Sequence, residues 1–390
     1  MATGSSSTAG GGLVYPSMES GNTSADQDEY WLSYLNDPYL TRFNATDTVL
    51  VTVIMPILLL FGLVTNFTFL FVVYRVAWMR TNVNTYLFHL AVADVMFLTI
   101  GIGDKLWHYS RTPLVYDLYF RGPAGCVLSD LLKDSAYFAG LFLITLVSVH
   151  RFNAVCRPHS GSHQQTRAST MRWIGTAWSV GVLLSGTLIP SYCVYQVHHL
   201  PEFPGWPEFA GLPEAIGQCM PAGDWMSVVA NFVQTVPFFL AMSLNTLLYI
   251  RIVLSLNQIV HKGGEFGCKD VNERIRNRVT KMLVANGCVF FVCLFPFELA
   301  SLLRFSGFYQ VGEAWLHAFR ILVYLNSVVN PIIYGVTNSK YRKAYGLAFS
   351  CLHGKSRDMV RYELSIPLNR MKDRPTTAVT DCRAKEGGDS

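Results

Sequence analysis

Of its 390 residues, 51% are hydrophobic and only 15% charged, and mean hydropathy is positive, which is too apolar and too sparsely charged for an ordinary water-soluble domain. The formal net charge of +5 sits in basic connections between apolar runs, so it suits loops facing anionic lipid rather than a nucleic-acid surface. A lipid bilayer is the expected solvent.

Residues 1–48 begin with a Ser/Gly/Thr-rich tract that has neither a charged n-region nor an apolar h-region, so no cleavable signal peptide is expected. This stretch reads as an extracellular disordered tail. Asn22-Thr23-Ser24 and Asn44-Ala45-Thr46 make Asn22 and Asn44 candidate glycosylation sites on the outer side, although such triplets arise often by chance. Asn66-Phe67-Thr68 also fits but lies mid-membrane, where no glycan is added.

Spanning about 30 Å of hydrocarbon takes roughly 20 apolar helical residues. Residues 49–74 supply this without an Asp, Glu, Lys, Arg or His, and comparable runs lie at 86–103, 126–149, 173–197, 225–256, 279–303 and 314–336. The expected fold is an all-α membrane protein: a seven-transmembrane helix bundle at 49–337, a short C-terminal amphipathic helix at 338–350, and a cytoplasmic disordered tail at 351–390. Basic residues set the orientation, because Lys and Arg near a span are retained on the cytoplasmic side. Arg75 and Arg80 follow span one, Arg157, Arg167 and Arg172 separate spans three and four, and Lys262, Lys269, Arg274, Arg276 and Arg278 precede span six. Residues 193–224 contain no Lys or Arg, and the N-terminal segment is acidic, so the N-terminus is expected outside.

An ionisable residue inside a span is a functional candidate by default, and Asp94 in Leu90-Ala91-Val92-Ala93-Asp94 is one, with a structural hydrogen-bond hub as the plainer reading. Other markers accompany it: Gly62 and Asn66 in span one, Trp178 in span four, Pro237 in span five, Cys293-Leu294-Phe295-Pro296 in span six, and Asn330-Pro331-Ile332-Ile333-Tyr334 in span seven. Over about residues 49–350 the chain therefore resembles rhodopsin-like (class A) G-protein-coupled receptors. The resemblance implies an activation network of Asn66, Asp94, Arg151, Pro296, Asn326, Asn330, Pro331 and Tyr334, with an allosteric sodium ion at Asp94 near Asn326, Ser327 and Asn330. It also implies a disulfide between Cys126 and Cys219, palmitoylation at Cys351 after the basic stretch 340–349, and heterotrimeric G protein, arrestin and receptor kinase as partners at the plasma membrane. Ser356, Ser365, Thr376, Thr377 and Thr380 are candidate phosphate acceptors in the tail.

Several positions depart from the family pattern. Gly140 stands where many members place a Ser that helps hold sodium. His150-Arg151-Phe152 replaces the usual acidic-Arg-Tyr run, and Arg276 occupies the place of an acidic lock residue, so a weakly locked inactive state is expected. Leu294 replaces the Trp beneath the ligand, while Pro296 retains the capacity to kink the helix. His159 stands where an apolar residue commonly meets the G protein.

The outer halves of the spans carry Asp104, Lys105, Lys133, Asp134, Glu298, Arg304 and Arg320. Lys133 occupies the place where amine receptors carry an Asp, which disfavours a monoamine. Lys133 and Tyr137 share a helix face, and with Arg320 they are expected to hold a carboxylate or amide carbonyl, while Glu298 or Asp104 takes a cationic group. The long outer loop 198–224 and the Thr280-Lys281-Met282-Leu283 run, which resembles receptors of the thyrotropin-releasing-hormone, neuromedin and FMRFamide type, favour a neuropeptide. A small organic acid or lipid is the alternative ligand. A membrane transporter is the alternative class, disfavoured by the lack of inverted repeats. An opsin would need a Lys in span seven, and 313–339 has none. No nucleophile elbow, phosphate loop or metal-ligand spacing suggests an enzyme.

Overall fold

The computed structural model describes residues 40–157, 166–200, 211–262, 271–305 and 313–350. Helix α1 runs Ala45–Arg75 and α2 Asn82–Arg111, followed by α3 Gly122–Cys156 and α4 Arg167–Leu188. A hairpin of β1 Val194–His199 and β2 Ala215–Met220 comes next, then α5 Asp224–Lys262, α6 Val271–Phe305, α7 Glu313–Thr337 and α8 Ser339–Ala348. Among the described residues, seven helices are long and apolar enough to cross a membrane.

Helix starts follow from local chemistry. Asn44 opens α1 with a reciprocal capping box: its side chain accepts from Asp47 N at 2.9 Å and its own N–H donates to Asp47 Oδ2 at 3.2 Å. Thr81 and Thr166 cap α2 and α4 by accepting from the backbone of Asn84 and Ser169. These caps place helix starts where apolar content alone cannot, so α1 begins at Ala45, earlier than the expected 49. Within α1, Leu50–Ile54 is a π-helical stretch. Helix α2 continues to Arg111, well past the expected 103, so Asp104 and Lys105 are helical.

One expected boundary is corrected. Span four ends at Leu188, not at 197, because Val194–His199 pairs antiparallel with Ala215–Met220 in the register Tyr195↔Cys219 and Val197↔Gly217. Residues 194–197 hold Val194, Tyr195 and Val197 with no charged residue, so hydropathy alone merges them with the helix before them. Disulfide Cys126–Cys219 staples the hairpin to the top of α3 with a Cα–Cα separation of 5.7 Å. Asp117 Oδ1 accepts from both Tyr119 N and Gly217 N, and Leu118 N donates to Gly217 O, fixing the α2–α3 loop against β2.

The bundle core lies along α2, α3, α6 and α7, with Leu87, Leu98, Phe138, Leu141, Leu143 and Ile144 wholly buried. Gly181 lets α4 pack closely on α3: a Cβ there would meet Ala139 N and Ser135 O at 3.0 Å. Conversely, Leu60, Phe61, Leu183, Leu240, Leu247 and Val292 point outward, a belt that hydrocarbon covers.

Candidate functional site

At the end of the bundle that carries the disulfide, α2, α3, α5, α6 and α7 enclose a cavity of about 390 Å³. Lys105, Asp130, Lys133, Asp134 and Tyr137 line one side, with Gln234, Phe297, Glu298, Arg320 and Tyr324 opposite. Its charges are largely arranged before any ligand arrives. Arg121 spreads its guanidinium between two helices: Nε donates to Asp104 Oδ1 at 2.9 Å, Nη2 to Asp104 Oδ2, and Nη1 to Asp130 Oδ2 at 3.0 Å. Lys133 donates to Asp130 Oδ1 and lies 3.9 Å from Asp134 Oδ1. Such a network satisfies charges that would otherwise be costly at this depth.

Two of the expected ligand-binding groups are already paired in this structure: Lys133 with Asp130 and near Asp134, and Asp104 with Arg121. Among the described residues, Lys105 and Arg320 make no ion pair and are exposed to the cavity. Glu298 is 1% exposed; its Oε1 accepts from Tyr137 Oη at 2.6 Å and its Oε2 has no partner among the described residues. The side chain of Arg304 lies outside the described residues. Asp130 and Arg121 were missed by sequence reasoning. The i,i+3 spacing of Asp130 and Lys133 was available as a signal, whereas the loop residue Arg121 carries none.

Below the cavity, Leu294 is 2% exposed and sits in the main core with Phe238, Phe290 and Phe291. Phe295 is 37% exposed and meets Phe239 edge-on, so it faces outward and does not take up the missing aromatic role. Deeper still, Asp94 Oδ2 accepts from Asn330 Nδ2 at 2.8 Å, joining α2 to α7, and Asn66 Nδ2 donates to Ser327 O at 2.8 Å, joining α1 to α7. The side-chain oxygens of Asn66, Asn326 and Asn330 are buried without a partner among the described residues, as is the Tyr334 hydroxyl. Asn330, whose Nδ2 binds Asp94, thus carries an orphaned acceptor of the kind that a hard cation or ordered water satisfies, although no cluster of three or more His, Cys, Asp or Glu that could hold a metal occurs among the described residues. Gly140 is buried, with room for a Cβ 3.7 Å from Leu90 Cδ1.

At the opposite end of the bundle, Arg151 makes no ion pair among the described residues and its buried Nε lacks a partner there, while His150 meets Tyr86 edge-on. The side chain of Arg276 lies outside the described residues. Ser148 Oγ donates to Tyr249 Oη at 2.7 Å and Asn245 Nδ2 to Thr145 Oγ1 at 2.9 Å, so α3 and α5 are tied by neutral groups. Tyr341 of α8 donates to Asn84 Oδ1 and packs on Phe69 and Tyr334, and burial pushes its hydroxyl well above the usual phenol range, keeping it a donor.

Residues 65–334 match the family described as 7 transmembrane receptor (rhodopsin family). The chain belongs to the rhodopsin family of receptors. It is similar to the human neuromedin-U receptor 2, 27% identical over 365 residues that cover 84% of this chain and 82% of the relative. It is also similar to the bovine somatostatin receptor type 5, 27% identical with 75% of each chain covered. The human growth hormone secretagogue receptor type 1 is 26% identical, covering 80% of this chain and 83% of the relative. The receptor is thus not an enzyme, and the paired outer cysteines form the disulfide that the family resemblance implied. Asn44 is exposed, and of its side chain only the oxygen is engaged in capping. Asn22, Cys351 and the tail hydroxyls fall outside the described residues.

Proposed function

We propose that this receptor, its N-terminus outside the plasma membrane, binds a peptide in the outer cavity and thereby activates a heterotrimeric G protein. One observation carries the peptide reading: the cavity keeps two cations without an ion pair among the described residues, Lys105 and Arg320, apart from a buried acid, Glu298, whose second oxygen lacks a partner there. A ligand carrying both a carbonyl or carboxylate and a cationic group matches both ends. The names of the relatives, receptors for neuromedin-U and somatostatin among them, support the same ligand class.

Asp94 and its neighbouring amide oxygens offer sodium the hard oxygen donors it prefers, and an ion there would hold α2 and α7 in their present arrangement. Arg151 meets the G protein once α6 swings outward about Pro296, and arrestin and a receptor kinase act on the tail. Ligand binding shifts pre-existing states only by differential affinity.

Cells expressing the chain, challenged with amidated neuropeptides and with small carboxylates, test the reading through second-messenger output. A peptide response lost in Arg320→Ala and Lys105→Ala at normal surface expression supports it. A response to carboxylates alone replaces it with the organic-acid reading, which the two free cations also favour.

A further inference from the structure

Tyr137 lies on α3 and Glu298 on α6, two residues beyond Pro296. Their hydrogen bond, Tyr137 Oη to Glu298 Oε1 at 2.6 Å, joins two helices 161 residues apart in sequence at the floor of the cavity. Pro296 lacks an N–H, so the Val292 carbonyl goes without its helical partner and α6 is easiest to bend there. A tie just above this weak point restrains the swing of the inner half. The family's aromatic switch is absent, since Leu294 stands in its place and is packed into the core.

The tie is also exposed to the ligand. Glu298 is 1% exposed, yet it lines the cavity, and its Oε2 has no partner among the described residues. A buried carboxyl with one oxygen unsatisfied is receptive to any donor that reaches it, and most of all to a cation, which gains strength in low dielectric. The neighbouring acids Asp104 and Asp130 are engaged by Arg121 and Lys133, leaving Glu298 the better target.

We propose that the Tyr137–Glu298 hydrogen bond is a ligand-operated latch: an ammonium or guanidinium group of the ligand pairs with Glu298, draws it from Tyr137, and so releases α6 to bend at Pro296. The ligand half of this statement rests on the peptide-receptor reading; the latch half does not. Glu298→Gln keeps an acceptor for Tyr137 but loses the charge that attracts a cation, whereas Glu298→Leu and Tyr137→Phe each break the tie.

The test uses the full-length receptor in nanodiscs without ligand. Spin labels introduced as unnatural amino acids at positions 172 and 281 report the spacing of the inner ends of α4 and α6, alongside nucleotide exchange on added G protein. Tyr137→Phe and Glu298→Leu are expected to lengthen the distance and to raise the outward population about fivefold, the scale of one lost hydrogen bond. Tyr137→Phe removes a single oxygen, and its size-exclusion profile checks folding. An unchanged distance in a folded Tyr137→Phe receptor overturns the latch. A lengthened distance without nucleotide exchange keeps the latch and overturns the G-protein reading instead.

The cationic half is read with guanidinium hydrochloride against equimolar sodium chloride, both at low millimolar concentration. Guanidinium is expected to lengthen the wild-type distance and leave Glu298→Gln unmoved. Equal responses in the two proteins overturn the assignment of Glu298 as its target.

Discussion

At the residue scale, charges inside a membrane protein are read correctly only when their partners are known. Sequence position put Lys133 at the ligand, and the fold does place it in the cavity wall, but bound to Asp130 and near Asp134. Removing its ammonium leaves Asp130 with Arg121 alone and Asp134 without an ion-pair partner among the described residues. We therefore expect Lys133→Ala to cost about 1–3 kcal/mol of stability, less than the roughly 3–5 kcal/mol of a fully buried pair because the Lys133 side chain is 32% exposed. The drop would show as a lower thermal midpoint and lower surface expression, and Lys133→Ala with Asp134→Asn would recover part of it. A loss of ligand potency at unchanged stability would return Lys133 to the role of free anchor. What hid this in the sequence was Arg121, a loop residue whose reach to Asp104 and Asp130 depends on the tertiary path of the α2–α3 connection. Glu298, by contrast, drew notice as an acid mid-span, and it does line the cavity.

At the scale of elements, the seven apolar runs were legible because lipid imposes length and hydropathy on every spanning helix, while their ends were not. Capping side chains and strand pairing decide ends: Asn44 starts α1 early, and pairing with Ala215–Met220 takes Val194–His199 away from α4. The inner contact of α5 and α6 was likewise out of reach from sequence. Gly287 on α6 makes room for the Tyr249 ring, whose hydroxyl accepts from Ser148. An added methyl at Gly287 would overlap that ring, so Tyr249 must swing away and lose its bond. We expect Gly287→Ala to destabilise the ligand-free arrangement by about 1–3 kcal/mol, as overpacking does, and to raise ligand-free nucleotide exchange. Tyr249→Phe, which keeps the ring but loses one hydrogen bond, should act more weakly, by about 1 kcal/mol. Wild-type exchange in both variants would mean that the α3–α5–α6 contact does not restrain the inactive receptor.

At the scale of the whole molecule, a series of helix-to-helix ties runs from outside to inside: Tyr137 to Glu298, Asp94 to Asn330, Asn66 to Ser327, Ser148 to Tyr249, and Tyr341 to Asn84. None is an ion pair between a cation and a carboxylate at the inner end, where Arg151 has no such partner among the described residues. This arrangement is therefore held at its inner end by hydrogen bonds rather than ion pairs, each worth about 1 kcal/mol between neutral partners, and its population should respond to anything that adds a single comparable tie. The sodium ion proposed at Asp94 would be such an addition. An ion that binds the closed arrangement at ten times its Kd stabilises it by about 1.4 kcal/mol. We expect sodium chloride to raise the thermal midpoint of the purified receptor above that in choline chloride at equal ionic strength, and to lower ligand-free nucleotide exchange in parallel. Asp94→Asn should abolish both effects, because the amide cannot balance the ion's charge. Gly140→Ser should enlarge them if its new hydroxyl joins the ion's oxygen donors, the Leu90 contact leaving space for the Cβ. Equal midpoints in the two salts would leave Asp94 as a hydrogen-bond hub for Asn330, with the closed state held by protein contacts alone.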